Sequence, residues 1–126
     1  MSQTIVAIAL GGAVGAVLRF VVANGVNQWF GKNLPYGTLT VNVVGSLAIG
    51  VLVVVFTERA LLDSPLAKGL MVGVLGAFTT FSTFSLDTFT LLAQGELLRA
   101  GLNVLLNVML CLLGVSLGVL VGRAIC

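Results

Sequence analysis

Read from its N-terminus, the chain alternates long apolar runs with short clusters of charged, proline, glycine and asparagine residues. Taking those clusters as punctuation leaves four apolar stretches, about Ile5–Asn24, Thr38–Phe56, Leu66–Leu92 and Leu97–Gly122. Each can span a bilayer, whose hydrocarbon core takes roughly 20 helical residues. The connections are Gly25–Gly37, with Lys32 and a Pro35-Tyr36-Gly37 turn, Thr57–Pro65, with Glu58, Arg59 and Asp63, and Ala93–Glu96, a turn on Gln94-Gly95. They leave no room for a soluble domain. The pattern predicts a single four-helix transmembrane domain over residues 1–126. The first run is read as a retained helix, because no basic segment precedes it and it is too long for a cleavable signal.

The third run does not read as a lipid-facing helix. Gly73 and Gly76 lead into Thr79-Thr80-Phe81-Ser82-Thr83-Phe84-Ser85, a dense cluster of hydroxyls and aromatic rings. Non-helical backbone at membrane depth survives only where it is buried in protein or lines a polar cavity, since orphaned N–H and C=O groups are costly in hydrocarbon. We therefore predict that the third helix is interrupted near Gly76–Thr80 and that the interruption is the functional site. An interruption frees carbonyl oxygens, which attract a hard cation, and exposes N–H groups that favour an anion. Phe81 and Phe84 share a face at i, i+3. Their ring edges carry the positive end of the quadrupole and tolerate an anion without a fixed charge.

Polar residues in the other spans fall in lines. Thr38, Asn42 and Ser46 recur every four residues on the second span, and Asn103, Asn107 and Cys111 do the same on the fourth. Such lines either bond to each other across helices or face a pore, and both readings stand at this point. Glycines at helical spacing, Gly11/Gly15, Gly69/Gly73 and Gly114/Gly118/Gly122, are read as close-packing positions.

Composition supports the membrane reading: 59% of residues are hydrophobic and 8% charged, against roughly 25% charged in a soluble domain. With four spans, Arg59, Lys68 and Arg123 lie on one side and Arg19, Lys32 and Arg99 on the other. This balance gives no preferred orientation. Insertion in both orientations, with an antiparallel homodimer as its outcome, is one reading; a single orientation set by other features is the second. Arg19, near the end of the first predicted span, either concentrates anions at an entrance or anchors the helix at the interface. The two cysteines lack metal-ligand spacing and are read as free thiols, Cys111 packing as a small apolar residue. Asp87 needs a partner that the sequence does not identify. With no His, no paired carboxylates and no base for a Ser or Cys nucleophile, the chain is not expected to be an enzyme. No basic patch supports nucleic-acid binding.

Three ordered motifs carry a resemblance along nearly the whole chain: Gly11-Gly12-Ala13-Val14-Gly15-Ala16-Val17-Leu18-Arg19-Phe20, Gly37-Thr38-Leu39-Thr40-Val41-Asn42-Val43-Val44-Gly45-Ser46 and Gly76-Ala77-Phe78-Thr79-Thr80-Phe81-Ser82-Thr83-Phe84-Ser85. The chain resembles the small fluoride channels of the Fluc, or CrcB, family. The resemblance implies an all-α integral membrane protein, a dual-topology antiparallel homodimer with two fluoride pores, and passive fluoride export across the cell inner membrane. By motif position it implies Phe81 and Phe84 flanking the path, Asn42 as its amide, Ser82 and Thr83 in a polar track that Asn107 and Cys111 continue, and Arg19 at the vestibule. It also implies a structural sodium ion at the dimer centre, held by the carbonyls of Gly76 and Thr79. Ala77, Cys111 and Asp87 stand where a glycine, a serine and a glutamate are more usual. A proton-coupled antiporter of the small multidrug-resistance type is the competing reading, yet the first span contains none of the carboxylates such a mechanism needs. A non-transporting membrane subunit is a third reading and leaves the third-span cluster unexplained.

Overall fold

A computed structural model describes residues 1–126. Helix α1 spans Ser2–Phe30 and α2 spans Tyr36–Glu58. The third span, Pro65–Ala93, is composite: α3 (Pro65–Lys68), a π-helical stretch (Gly69–Leu75), α4 (Gly76–Phe78) and, after an interruption at Thr79-Thr80, α5 (Phe81–Ala93). Helix α6 spans Leu97–Ile125. All four spans are long and apolar enough to cross a membrane. The chain is thus an all-helical, multi-pass membrane protein with one broken span.

The helix ends follow local chemistry. Gly31, at φ 86°, stops α1 in a backbone conformation that side chains resist, and its N–H closes onto the Asn27 carbonyl. Asn27 Oδ1 also accepts from the Gly37 N–H at 2.8 Å, tying the end of α1 to the start of α2. Ser64 caps α3 through the Ala67 N–H, and Pro65 occupies the first helical position, where its missing N–H costs nothing.

Three expectations need correction. Helix α1 runs well beyond Asn24, and Tyr36-Gly37 begins α2 rather than forming a turn, because isolated polar residues at a span end do not break a helix. Arg19 consequently lies inside α1 instead of near its end. The interruption itself falls within the predicted interval Gly76–Thr80, at its C-terminal end: Gly76 is helical at φ −61° and ψ −36°, and Ala77 sits within α4. The chain leaves the helix at Thr79 (φ −85°, ψ 160°) and Thr80 (φ −151°, ψ 121°), extended conformations that β-branched residues favour. An alanine at 77 therefore leaves this break unhindered.

Packing is arranged inside out. Only 19 of 126 residues are buried, and Val41 is the one large side chain that is fully so. Leucines, valines and phenylalanines cover the outside, as lipid contact requires. Between the helices there are glycines. Helix α1 crosses the third span where Gly11 and Gly15 meet the backbone of Gly69, Gly73 and Val74, and α2 crosses α6 where Gly50 and Gly118 face each other. At these points backbone lies against backbone, and no neighbour can swing away.

A side chain at Gly118, whose Cβ would run into the Leu47 carbonyl, should destabilise the protein by about 1–3 kcal/mol or more. Gly118→Val is expected to lower both folded yield and thermal midpoint in detergent. Gly101→Ala, where nothing stands within 4 Å of the new Cβ, should leave both unchanged or slightly raised.

Candidate functional site

The site is organised around the two extended residues. Thr79 keeps a link to the preceding turn: its N–H and its Oγ1 both donate to the Leu75 carbonyl at 3.0 Å. Thr80 begins the next helix, its Oγ1 accepting from the Thr83 N–H at 3.1 Å as an N-cap. What remains is Thr80's own peptide backbone, and Asn42 of α2 takes it. The Thr80 N–H donates to Asn42 Oδ1 at 2.8 Å, while Asn42 Nδ2 donates to the Thr80 carbonyl at 3.1 Å. One amide side chain thus replaces the helical partners that the break removes.

Asn42 Nδ2 also donates to Asn107 Oδ1 of α6 at 3.0 Å, so all of its hydrogen-bonding capacity is engaged within the chain apart from spare lone pairs. The two polar lines read from the sequence therefore do meet across helices, and they also line an open space. Cross-helix bonding and the lining of an open groove are compatible here.

The break leaves further carbonyls. Arg19 Nε donates to the Ala77 carbonyl at 3.0 Å, a bond between α1 and α4. No side chain donates to the carbonyls of Gly76 or Thr79, and the Thr79 carbonyl, outside the helices, accepts from no backbone N–H either. A free oxygen of this kind in an otherwise neutral setting suits a hard cation.

A groove of about 440 Å³ runs along the break. Asn42, Asn107 and Cys111 line it from α2 and α6, and Gly76, Thr79, Phe81 and Phe84 line it from the broken span. The rings of Phe81 and Phe84 stand 5.4 Å apart, tilted by 53°. Phe84 is 8% exposed and Phe81 78% exposed, so one ring is built into the wall and the other projects from the protomer. Cys111 is half-buried on the groove wall, beside Val108 and Leu112.

Arg19 and Thr83 line a second cavity of about 310 Å³, together with Thr38 and Thr80. Thr80 borders both spaces, so the Asn42–Thr80 clamp stands between them. Ser82 is exposed, lines neither space, and lies 3.4 Å from Thr80 Oγ1. Asp87 finds its partner in Thr38, whose hydroxyl donates to Oδ2 at 2.8 Å. Sequence reasoning does not single out Thr80 as a site residue, although a threonine three residues before Thr83 at a helix start is an N-cap signal. Nor does it place Asn103 or Thr88 in the site.

Four apolar spans, one of them broken over a groove of neutral amides, hydroxyls and ring edges, define a small polytopic membrane protein with a transport-type site. The particular family follows from comparison: the chain belongs to the CrcB family, whose model, described as CrcB-like protein, Camphor Resistance (CrcB), matches residues 6–119. It is 50% identical over 118 residues to a protein of Magnetococcus marinus named fluoride-specific ion channel FluC, covering 94% of this chain and 96% of that one. A Geobacter sulfurreducens protein of the same name is 48% identical over 120 residues, covering 95% and 97%. A third such protein, from Methylococcus capsulatus, is 50% identical over 123 residues; the chain spans 54% of its length. These relatives are named as channels, not enzymes.

Asn42→Leu should leave the N–H and C=O of Thr80 unpaired, at about 1–3 kcal/mol for each buried group. The expected result is a lowered thermal midpoint together with faster amide exchange at Thr80 than in the parent protein. Unchanged exchange at Thr80 would show that the clamp does not hold the break.

Proposed function

We propose that the protein is a fluoride-selective channel that lets fluoride leave the cytoplasm passively, down its electrochemical gradient. The observation that carries this reading is the groove, which places a tilted phenylalanine pair opposite an asparagine pair with no charged side chain among its lining residues. Fluoride is small and strongly hydrated. A path for it must exchange water for many weak donors, and a fixed charge in the middle would trap the ion. Ring edges, the Thr80 hydroxyl and polarised amide N–H groups provide such an environment. Near-full-length relatives named fluoride-specific ion channel support the same conclusion. Arg19 lines the neighbouring cavity, with one N–H held by Ala77 and the rest of its guanidinium without a partner in the chain. It would concentrate anions at an entrance. The setting is the cell inner membrane, where an inside-negative potential drives the anion outward after HF has entered and dissociated. The antiporter reading is not favoured: α1 holds no Asp or Glu, and Asp87 is occupied by Thr38.

The working unit in this proposal is an antiparallel homodimer with two paths. The groove is open along the protomer, and Gly76 and Phe81, both exposed, would face lipid without a partner. Polar backbone cannot remain there, and a second copy is the natural cover. With Arg19 inside α1, Arg59, Lys68 and Arg123 on one side against Lys32 and Arg99 on the other are near balance, which permits both insertions. Bringing two breaks together would also gather the carbonyls of Gly76 and Thr79, a pair from each subunit. The oxygen-only, uncharged donor set fits a structural sodium ion, whose charge would offset the clustered carbonyl dipoles.

Purified protein in liposomes should release fluoride rapidly and chloride negligibly, without a proton gradient, as read with a fluoride electrode beside a chloride control. Phe81→Ile and Phe84→Ile should each cut fluoride release by about tenfold or more, a loss of roughly 1.4 kcal/mol in the barrier, while remaining folded. Normal release in both would argue against the aromatic path, and no release from folded parent protein would argue against the channel.

Assembly has its own test. Lysines added at one set of span ends should orient the chain one way and abolish dimers, and co-expression with an oppositely biased copy should restore them. Dimers formed by one biased variant alone would contradict the antiparallel arrangement. Protein prepared throughout without sodium should dissociate more readily than protein kept in sodium, and equal stability would remove the ion from the proposal.

A further inference from the structure

Helix α5 carries both groove phenylalanines, yet little apolar burial holds it in the protomer. Phe84 is its one buried residue, and Phe81, Ser82, Ser85, Leu86, Phe89 and Thr90 are exposed. Helix α5 packs mainly on α6 and only slightly on α2. Something other than core packing must set its rotation, because lipid supplies no hydrophobic force between helices.

A chain of hydrogen bonds does so, and it runs in one direction. Asn42 Nδ2 donates to Asn107 Oδ1 at 3.0 Å. Asn107 Nδ2 donates to Asn103 Oδ1 at 3.1 Å and to the Asn103 carbonyl at 2.9 Å. Asn103 Nδ2 donates to Thr88 Oγ1 at 2.9 Å, and Thr88 Oγ1 donates to the Phe84 carbonyl at 2.8 Å. The other end of Asn42 grips Thr80. The relay therefore leaves α5 at Thr80, crosses α2 and α6, and returns to α5 at Thr88. Thr80, Phe84 and Thr88 follow at i, i+4 and i+8, on one helix face. The two anchor points thus bracket Phe84.

We propose that Asn103 and Thr88, neither of which lines the groove, are positioning residues for it: through the relay they set the direction of the Asn42 amide and the rotation of the helix that carries Phe81 and Phe84. Asn103 is 2% exposed and Asn107 5% exposed, and no buried polar side-chain atom of the chain lacks a partner. A closed relay of this kind has one consistent orientation. Removing the Thr88 hydroxyl deletes the acceptor of Asn103 and frees each amide behind it to turn. The flux consequence rests on the fluoride-channel reading; the structural consequence does not.

The test compares Thr88→Val, of equal volume but without the hydroxyl, with Thr88→Ser, which keeps it, and with Asn103→Leu and the double variant. Fluoride release per folded protein is expected to fall about tenfold in Thr88→Val and in Asn103→Leu, and to stay within about twofold in Thr88→Ser. The double variant should be no slower than either single one, because both break the same link. A merely structural role predicts effects that multiply and that follow folded yield. Parent-like release by Thr88→Val, or equal damage from Thr88→Ser, overturns the proposal. Amide exchange at Thr80 is read on the same inserted proteins: faster exchange in Thr88→Val and not in Thr88→Ser supports the relay, and no change overturns it. This readout decides the matter even if the parent protein passes no fluoride. Thr88→Cys, with its weak thiol donor, replaces Thr88→Val on the same criteria if that variant does not fold.

Discussion

The constraint on which the structure depends is that peptide groups inside a bilayer cannot be left to water. Breaking the third span at Thr79-Thr80 withdraws helical partners from several N–H and C=O groups at once. The chain answers with one amide, Asn42, which meets both the N–H and the C=O of Thr80. Arg19 meets the Ala77 carbonyl from the opposite flank. The Thr79 carbonyl, which nothing in the protomer meets, belongs to a residue that lines the open groove beside Gly76. The break is therefore closed on the side facing its own helices and open on the other.

This asymmetry connects packing to chemistry. Glycine contacts between α1 and the first half of the third span, and between α2 and α6, make two tight helix pairs out of backbone surfaces. Helix α5 belongs to neither pair and depends on polar anchors. The closest backbone contacts thus form the scaffold, while the element bearing the phenylalanines is held by directional bonds. An ion path built in this way combines a rigid frame with a wall whose orientation is specified by hydrogen-bond geometry.

It also changes how Asn42 is understood. An asparagine in a membrane span is readily taken as a free donor waiting for an ion. Here both of its N–H groups already have acceptors in the chain, and its oxygen already receives the Thr80 N–H. Whatever it offers to an anion comes from N–H groups polarised by these bonds and by the backbone they hold. Asn42 acts first as a splint of the broken helix, and the groove exists because the splint does.

The sequence by itself determined the number and order of the spans, the glycine crossings and the place where helical backbone fails to within a few residues, since these follow from hydropathy, side-chain size and local propensity. Spacing also showed that Asn42 and Asn107 belong to polar lines, and the motifs identified the family. It misjudged how far α1 continues, because helix ends at a bilayer boundary are set by capping and backbone conformation, as at Gly31, rather than by polarity alone. It bracketed the break at Gly76–Thr80 without saying which of these residues leave the helix, and it missed the π-helical stretch, since hydrogen-bond register inside a helix leaves no mark on hydropathy. Only the tertiary structure decided that Asn42 binds Thr80, that Arg19 reaches Ala77, that Asp87 pairs with Thr38 and that Asn103 and Thr88 close a relay. These are contacts between residues far apart in the chain. Their partners are selected by helix rotation and crossing geometry, which no local pattern encodes.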